Sequence, residues 1–256
     1  MLKLVTIPIS HYCEKARWAL DRAGLLYDEE RHVQGIHRLA SWRAGGSGTL
    51  PVLVSDDQVI SDSAEILYWV DEQQPQNRRL FPADPARRRQ VEALCRGFDT
   101  QLGPAGRRLM YVHVLQVPDL ALPYNNQGVS NWQDRAMRHG WPLARFFVSR
   151  SLGIRAGVED GDQALVEEIF ASVGDLLADG RRYLVGDRFT AADLTFAALA
   201  AAVLAPPEYG VELPQPESMP PAMAELVESF RAQPAGQFAL RLYGEERHQV
   251  PERVAL

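Results

Sequence analysis

The stretch Leu2-Lys3-Leu4-Val5-Thr6-Ile7-Pro8-Ile9-Ser10-His11-Tyr12-Cys13-Glu14-Lys15-Ala16-Arg17 decides how this chain folds. Leu2 to Ile7 is a short apolar run rich in β-formers and is stopped by Pro8, so it predicts a buried strand. From His11 the period changes. Cys13, Ala16, Ala19, Leu20 and Ala23 fall at helical spacing, with Glu14, Lys15, Arg17, Asp21 and Arg22 mostly on other faces. Gly24 is a helix stop. A buried strand therefore passes into a helix through the turn Ser10-His11-Tyr12-Cys13.

Working outward, Tyr27 to Val33 is polar and predicts an edge strand. Ile36 to Arg43 reads as a short helix, and Gly45-Gly46-Ser47-Gly48 as a loop. Leu50 to Val54 and Gln58 to Ile60 predict two short strands around an Asp56-Asp57 turn. Asp62 to Glu72 predicts a helix. This order suits a small mixed sheet with helices on its faces. Pro75 to Pro85 is a linker candidate. Beyond it the pattern is helical: Arg87 to Val114, broken by Gly103-Pro104, then Leu143 to Leu152, Asp162 to Leu177, Thr190 to Leu204 and Ala222 to Arg231. Asp119 to Trp141 is irregular and aromatic-rich, and Pro206 to Pro221 is a proline-rich loop. The expected division is residues 1–75, a linker at 76–85 and an all-helical part at 86–256.

The chain has 256 residues, 46% of them apolar, which is ordinary for a globular protein with a real core. A formal net charge of -6 argues against a broad nucleic-acid footprint. The two cysteines, Cys13 and Cys95, are too few for a disulfide framework and suit a reducing compartment. The N-terminal apolar run is too short for a signal-peptide core. The apolar stretch Ala191 to Ala205 contains Asp193 and falls short of the ~20 residues of a membrane span. The expectation is a cytoplasmic protein without a membrane partner. Lysine occurs only at Lys3 and Lys15, which points to a GC-rich, bacterial genome.

Two helix starts carry further information. Asp62 and Ser63 open a helix whose free N–H groups and dipole favour an anion. Asp62-x-x-Glu65 also resembles a capping box, and both roles can coexist because a cap leaves other N–H groups free. Thr190-x-x-Asp193 resembles a second capping box, with Phe189 and Leu194 as its hydrophobic staple. That one reads as structural.

Four features thus follow in order: Ser10-x-x-Cys13-x-x-x-Arg17, Gly48-Thr49-Leu50-Pro51-Val52-Leu53, Ser61-Asp62-Ser63-Ala64-Glu65-Ile66-Leu67, and Phe189-Thr190-Ala191-Ala192-Asp193-Leu194. Together they resemble the glutathione transferase superfamily over nearly the whole chain, residues 115–150 excepted. The resemblance implies an α/β thioredoxin-like N-terminal domain joined to an all-α C-terminal domain, glutathione as substrate, no metal, and a homodimer. It implies a cis Pro51, which lets the Leu50 backbone pair with a peptide ligand like a strand; the plain alternative is a strand that starts with proline. It implies that Ser63 holds the γ-glutamyl carboxylate and that Asp62 accepts from the α-ammonium.

At the first turn, the resemblance to serine-type members puts Ser10 as hydroxyl donor to the glutathione sulfur; the plain reading is a helix N-cap. Cys13 is an alternative, as the nucleophile of a thiol reductase or peroxidase, although its helical face is the one that should be buried. Without a thiol at position 10, dithiol exchange is not available to this turn alone. Tyr12 is a lower-ranked hydroxyl donor, and His11 reads as a solvated loop histidine. His37, with Arg38 and Trp42, falls where the family contacts the glycine end of glutathione. Tyr111, Tyr124, Trp132, Trp141, Phe146 and Phe147 are candidates to line a pocket for a small hydrophobic electrophile. Arg87-Arg88-Arg89 and Arg107-Arg108 either raise the local positive potential or form a solvated face. The functions in contention are conjugation of glutathione to an electrophile, a Cys13-dependent reductase or peroxidase, and a non-catalytic binding protein of the same fold.

Overall fold

In the computed structural model, which describes residues 1–155 and 157–249, β1 (Leu2–Thr6) lies inside a four-stranded sheet. β2 (Tyr27–Arg31) pairs with it in parallel on one side and β3 (Val52–Val54) antiparallel on the other. β4 (Val59–Ser61) closes the order β2-β1-β3-β4. Leu4 sits opposite both Glu29 and Leu53. Side chains alternate across a strand, so Leu2, Leu4 and Leu53 enter the large core while Val5 and Val52 join Ala40 on the other face. The polar strand β2 is one of the two edges, which suits its composition.

α1 (His11–Ala23) and α3 (Ser63–Glu72) cover one face of the sheet and α2 (Ile36–Arg43) the other. Gly24 ends α1 in the left-handed region at φ 71°, where a Cβ is disfavoured. A 3-10 turn at Gln76–Arg78 lies in the connection to the helical half.

α4 (Pro85–Gly97) and α5 (Gly103–Val114) form one continuous rod, contrary to the expected break at Gly103-Pro104. A π-helical segment, Phe98–Leu102, joins them. The wider π turn accommodates a proline that has no N–H to donate. Residues 119–141 are not irregular either. α6 (Pro118–Asn125) and α7 (Asn131–His139) are helices, and α8 (Trp141–Leu152) follows. α7 docks on the sheet half through Gln133, which accepts from the Val33 N–H at 3.2 Å and meets His32 Nδ1 at 3.1 Å.

α9 (Val158–Leu177), α10 (Ala191–Leu204), α11 (Pro221–Ala232) and α12 (Pro234–Glu246) complete the helical half. α12 has no counterpart in the sequence pattern. α10 is its axis, and of its fourteen residues only Ala202 is not buried. The capping box at its start is formed: the Thr190 N–H and Asp193 Oδ2 meet at 2.8 Å, and Asp193 Oδ1 accepts from the Leu184 N–H at 2.8 Å. Burial raises the Asp193 pKa to about 6, against the pull of these donors.

α1 carries ionic links to the rest of the chain. Lys15 Nζ lies 2.7 Å from Asp99, Arg17 Nε 2.7 Å from Glu29, and Arg247 Nε 2.6 Å from Glu14. Lys15, Glu14 and Arg17 are almost wholly buried, so each needs its partner, and removal of one partner strands a charge. Among the described residues, no helix is long and apolar enough to cross a membrane.

Candidate active site

Ser10 is the N-cap of α1. Its backbone is extended, at φ -72° and ψ 119°, and its Oγ accepts from the Cys13 N–H at 3.4 Å. A hydroxyl accepts with a lone pair and keeps its proton. The Cys13 sulfur is within reach of that proton, and Ser10 also lines a cavity of about 630 Å³, so the proton can turn to either. Capping and donation to a ligand are therefore compatible at this residue.

The other members of the turn are engaged elsewhere. Cys13 is 0% exposed, its sulfur accepts from the Ile7 N–H at 3.4 Å, and burial raises its thiol pKa while Arg17 pulls it down. A raised pKa disfavours the nucleophilic thiolate. Tyr12 points into the helical half. The Gly103 N–H donates to the Phe98 carbonyl, and the next donor position in that π register is Pro104, which has none. The Tyr12 hydroxyl donates instead to the Asp99 carbonyl at 2.8 Å. Burial pushes its pKa to about 12, with Arg107 opposing. Gly103 is required here because a Cβ would collide with that hydroxyl.

His11 is not solvated. It is 5% exposed, with its ring centroid 4.5 Å from that of Tyr12, and it lines the cavity. Burial first, and then Arg107, lower its pKa to about 3 against a Gly103 backbone bond, so the imidazole is neutral at physiological pH. Its Nε2 is buried without a partner. The sequence period starts the helix at His11 but does not show that Gly103 and Arg107 of α5 come to lie beside it.

The rim on the sheet side comes from α2 and the loop before β3. Ser41 Oγ donates to the Thr49 carbonyl at 2.8 Å and accepts from the Gly48 N–H at 3.0 Å, which fixes Ser47, Gly48 and Thr49 along the cavity. His37 also lines it. Its Nδ1 accepts from the Gly35 N–H at 3.0 Å, and burial, with Arg38, lowers its pKa to about 4. The neutral ring thus carries its proton on Nε2, free to donate.

The opposite wall is helical. α5 contributes Arg107, Met110, Tyr111 and Val114, and α6 contributes Leu120 and Tyr124. α8 contributes Phe147, α10 Ala202, and Met219 and Met223 lie beyond it. Tyr209 closes the floor, its hydroxyl donating to the Ile9 carbonyl at 3.2 Å.

The cavity therefore gathers Ser10, His37, Arg38, Tyr111, Tyr124 and Phe147 from the sequence candidates. Leu50, Pro51, Asp62 and Ser63 lie outside its lining. The Leu50–Pro51 bond is cis. Asp62, at φ 90°, holds a backbone region unusual for a non-glycine residue, and its Oδ1 accepts from the Ala64 N–H at 2.7 Å, so the contact is one residue short of the expected capping box. Ser63 is buried. Trp132 lies outside the lining and is 61% exposed on α7, because that helix turns Gln133 and Met137 inward instead. Phe146 is exposed, and Trp141 packs against Val33, Leu122 and Met137. The paired arginines also separate, since Arg108 Nε bonds Asp162 at 2.8 Å while Arg107 turns to the cavity. Gln34, Met110 and Tyr209 carry no signal in the sequence; tertiary packing alone brings them here. Among the described residues, no group of three His, Cys, Asp or Glu side chains is placed to hold a metal ion.

Comparison with known proteins bears on this arrangement. The glutathione S-transferase N-terminal domain matches residues 4–78, and the glutathione S-transferase C-terminal domain matches residues 132–228. No curated protein sequence matches the chain. Among solved structures, the fold is similar to a glutathione S-transferase from Xanthobacter autotrophicus Py2, with TM-score 0.62 and 18% identity over 96% of this chain and 93% of that one. It is similar to the beta-etherase LigF from Sphingobium sp. strain SYK-6, with TM-score 0.59 and 18% identity over 94% and 98%. It is also similar to a glutathione S-transferase from Methylobacillus flagellatus KT with glutathione bound, with TM-score 0.56 and 15% identity over 93% and 98%. At these identities the likeness to solved structures speaks for the fold alone.

Proposed function

The chain belongs to the glutathione S-transferase family, and from that premise we propose that it conjugates glutathione to a small hydrophobic electrophile. The carrying observation is the Ser10 hydroxyl, which caps α1 with its lone pair and lines the cavity, where its proton can turn from the Cys13 sulfur to a ligand. A thiol bound there loses its proton to solvent, and the Ser10 O–H and the N-terminal end of α1 stabilise the thiolate. The sulfur then attacks the electrophilic carbon. With a chloronitrobenzene, the sulfur–carbon bond forms, the carbon–chlorine bond breaks and chloride leaves.

In this reading His37 Nε2–H serves the glycyl carboxylate. Leu50, ahead of the cis Pro51, pairs with the peptide backbone of the tripeptide, and Asp62 and Ser63 hold its γ-glutamyl end, beside the cavity rather than in it. Tyr111 and Tyr124 belong to the electrophile's wall. Cys13 keeps a structural role, which its complete burial supports. A homodimer and a cytoplasmic location belong to the same proposal.

The test is a parallel assay of glutathione binding, chloronitrobenzene conjugation and mixed-disulfide reduction in wild type, Ser10→Ala and Cys13→Ala. Conjugation should fall about 10²–10³-fold in Ser10→Ala with glutathione binding kept, and stay near wild type in Cys13→Ala. Activity lost only in Cys13→Ala would replace this reading by the thiol reductase. Absence of glutathione binding would leave a non-catalytic binding protein.

A further inference from the structure

The cavity wall has a charge opposite to that of the whole molecule. The chain carries a formal net charge of -6, yet the residues lining the cavity include Arg38, Arg107 and Arg150 and no aspartate or glutamate. Arg38 and Arg150 are exposed at the rim. Arg107 is the inner one. It stands on α5 with its guanidinium 6.0 Å from the Tyr12 ring, at the end of the cavity where His11 lies. Its Nε is buried without a partner, and no carboxylate among the described residues pairs with it.

Tyr111 lies four residues further along α5, so both side chains project from one helix face. The Tyr111 hydroxyl accepts from Gln34 Nε2 at 3.3 Å, which leaves its proton free. Burial, the largest influence on it, holds the phenol in its protonated form. Two side chains with unused donor protons thus line one cavity. Beyond them, Met110, Val114, Ala202 and Met223 make the wall apolar.

We propose that Arg107 and Tyr111 form a binding site for an anionic oxygen of the second substrate, so that the preferred electrophile is an apolar, aromatic-sized body carrying a carboxylate or phenolate. A charge-assisted bond from a guanidinium, backed by a neutral O–H donor, discriminates for an oxyanion over the neutral amide of the same shape. The proposal rests on reading this cavity as the electrophile's site beside Ser10.

The test uses two non-reacting probes of one shape, 1-naphthoate and 1-naphthamide, titrated calorimetrically with glutathione measured separately. Wild type should bind the naphthoate at least about tenfold more tightly than the amide. Arg107→Gln should erase that preference while leaving naphthamide and glutathione affinities close to wild type. Arg107→Lys, which keeps the charge, should retain part of the preference, and Tyr111→Phe should narrow it. Retained naphthamide binding shows that each variant is folded. Equal binding of the two probes by wild type, binding of neither, or a preference that survives Arg107→Gln would overturn the proposal. So would loss of glutathione affinity in Arg107→Gln, which would assign Arg107 to the tripeptide. If wild type binds no glutathione but the Arg107-dependent preference holds, the transferase reading fails and the anion site stands.

Discussion

Two helices border the same cavity in opposite ways. α10 buries thirteen of its fourteen residues, and the exception, Ala202, faces the cavity. α8 buries none of its twelve, and it meets the cavity through residues such as Phe147 and Leu152. The back wall is thus part of the hydrophobic core, while the front wall is laid over it. Buried apolar contacts set how often a segment opens, so the two walls should differ in local stability far more than in helical propensity. A site with a fixed floor and back and a lightly held front keeps its chemistry constant while its front adapts to the ligand.

The largest expected effect is in amide hydrogen exchange. Backbone amides of α8 should exchange at least about 10²-fold faster than those of α10. Equal protection in the two helices would remove the contrast. Next, Asp193→Ala should cost about 3 kcal/mol or more in a denaturant titration, because it strands the Leu184 and Thr190 N–H groups and the Thr190 hydroxyl beneath α10. A loss below about 1 kcal/mol would mean that the capping box does not anchor the back wall.

The same carboxylate sets a pH effect of known sign. Its folded pKa of about 6 exceeds the ordinary value of 3.8, so the unfolded chain releases this proton first. Its contribution to stability is full below about pH 4 and declines as pH rises through 6, by up to about 3 kcal/mol. Urea midpoints of wild type and Asp193→Ala across that window should converge as pH rises. The smallest effects belong to the front wall. Phe147→Ala should change stability by less than about 0.5 kcal/mol, as exposed substitutions do, yet raise KM for the electrophile. Trp132→Ala, on the neighbouring surface, should change neither; a KM effect there would extend the site onto α7.

The same contrast explains what the sequence reveals. α10 is legible because its alanine-rich apolar run and Thr190-x-x-Asp193 start are local signals for a buried, capped helix. The sheet half is legible because Leu2 to Ile7, Gly24 and Gly48 to Leu53 each state a strand, a stop or a turn in a few residues. The front wall is legible only in part: Leu143 to Leu152 reads as the helix that becomes α8, while α6 and α7, which lead to it, do not show. α6 and α7 place only a few side chains inward, so periodicity has no wide apolar stripe to report. At Gly103-Pro104 local propensity says break, and the π segment, whose Asp99 carbonyl takes a bond from the Tyr12 hydroxyl, overrides it. Arg107 differs from Arg108 in no local respect; only the direction of α5 turns one toward the cavity and the other toward Asp162.

The central claim is that the Ser10 hydroxyl holds a bound thiolate. Its most direct test is a pH titration of the thiolate absorbance of protein-bound glutathione in wild type and Ser10→Ala. Wild type should titrate well below the ~8.5 of a free thiol, and Ser10→Ala should move the midpoint back toward that value while still binding the tripeptide. The same depressed midpoint in both proteins would contradict the claim and leave Ser10 as the cap of its helix.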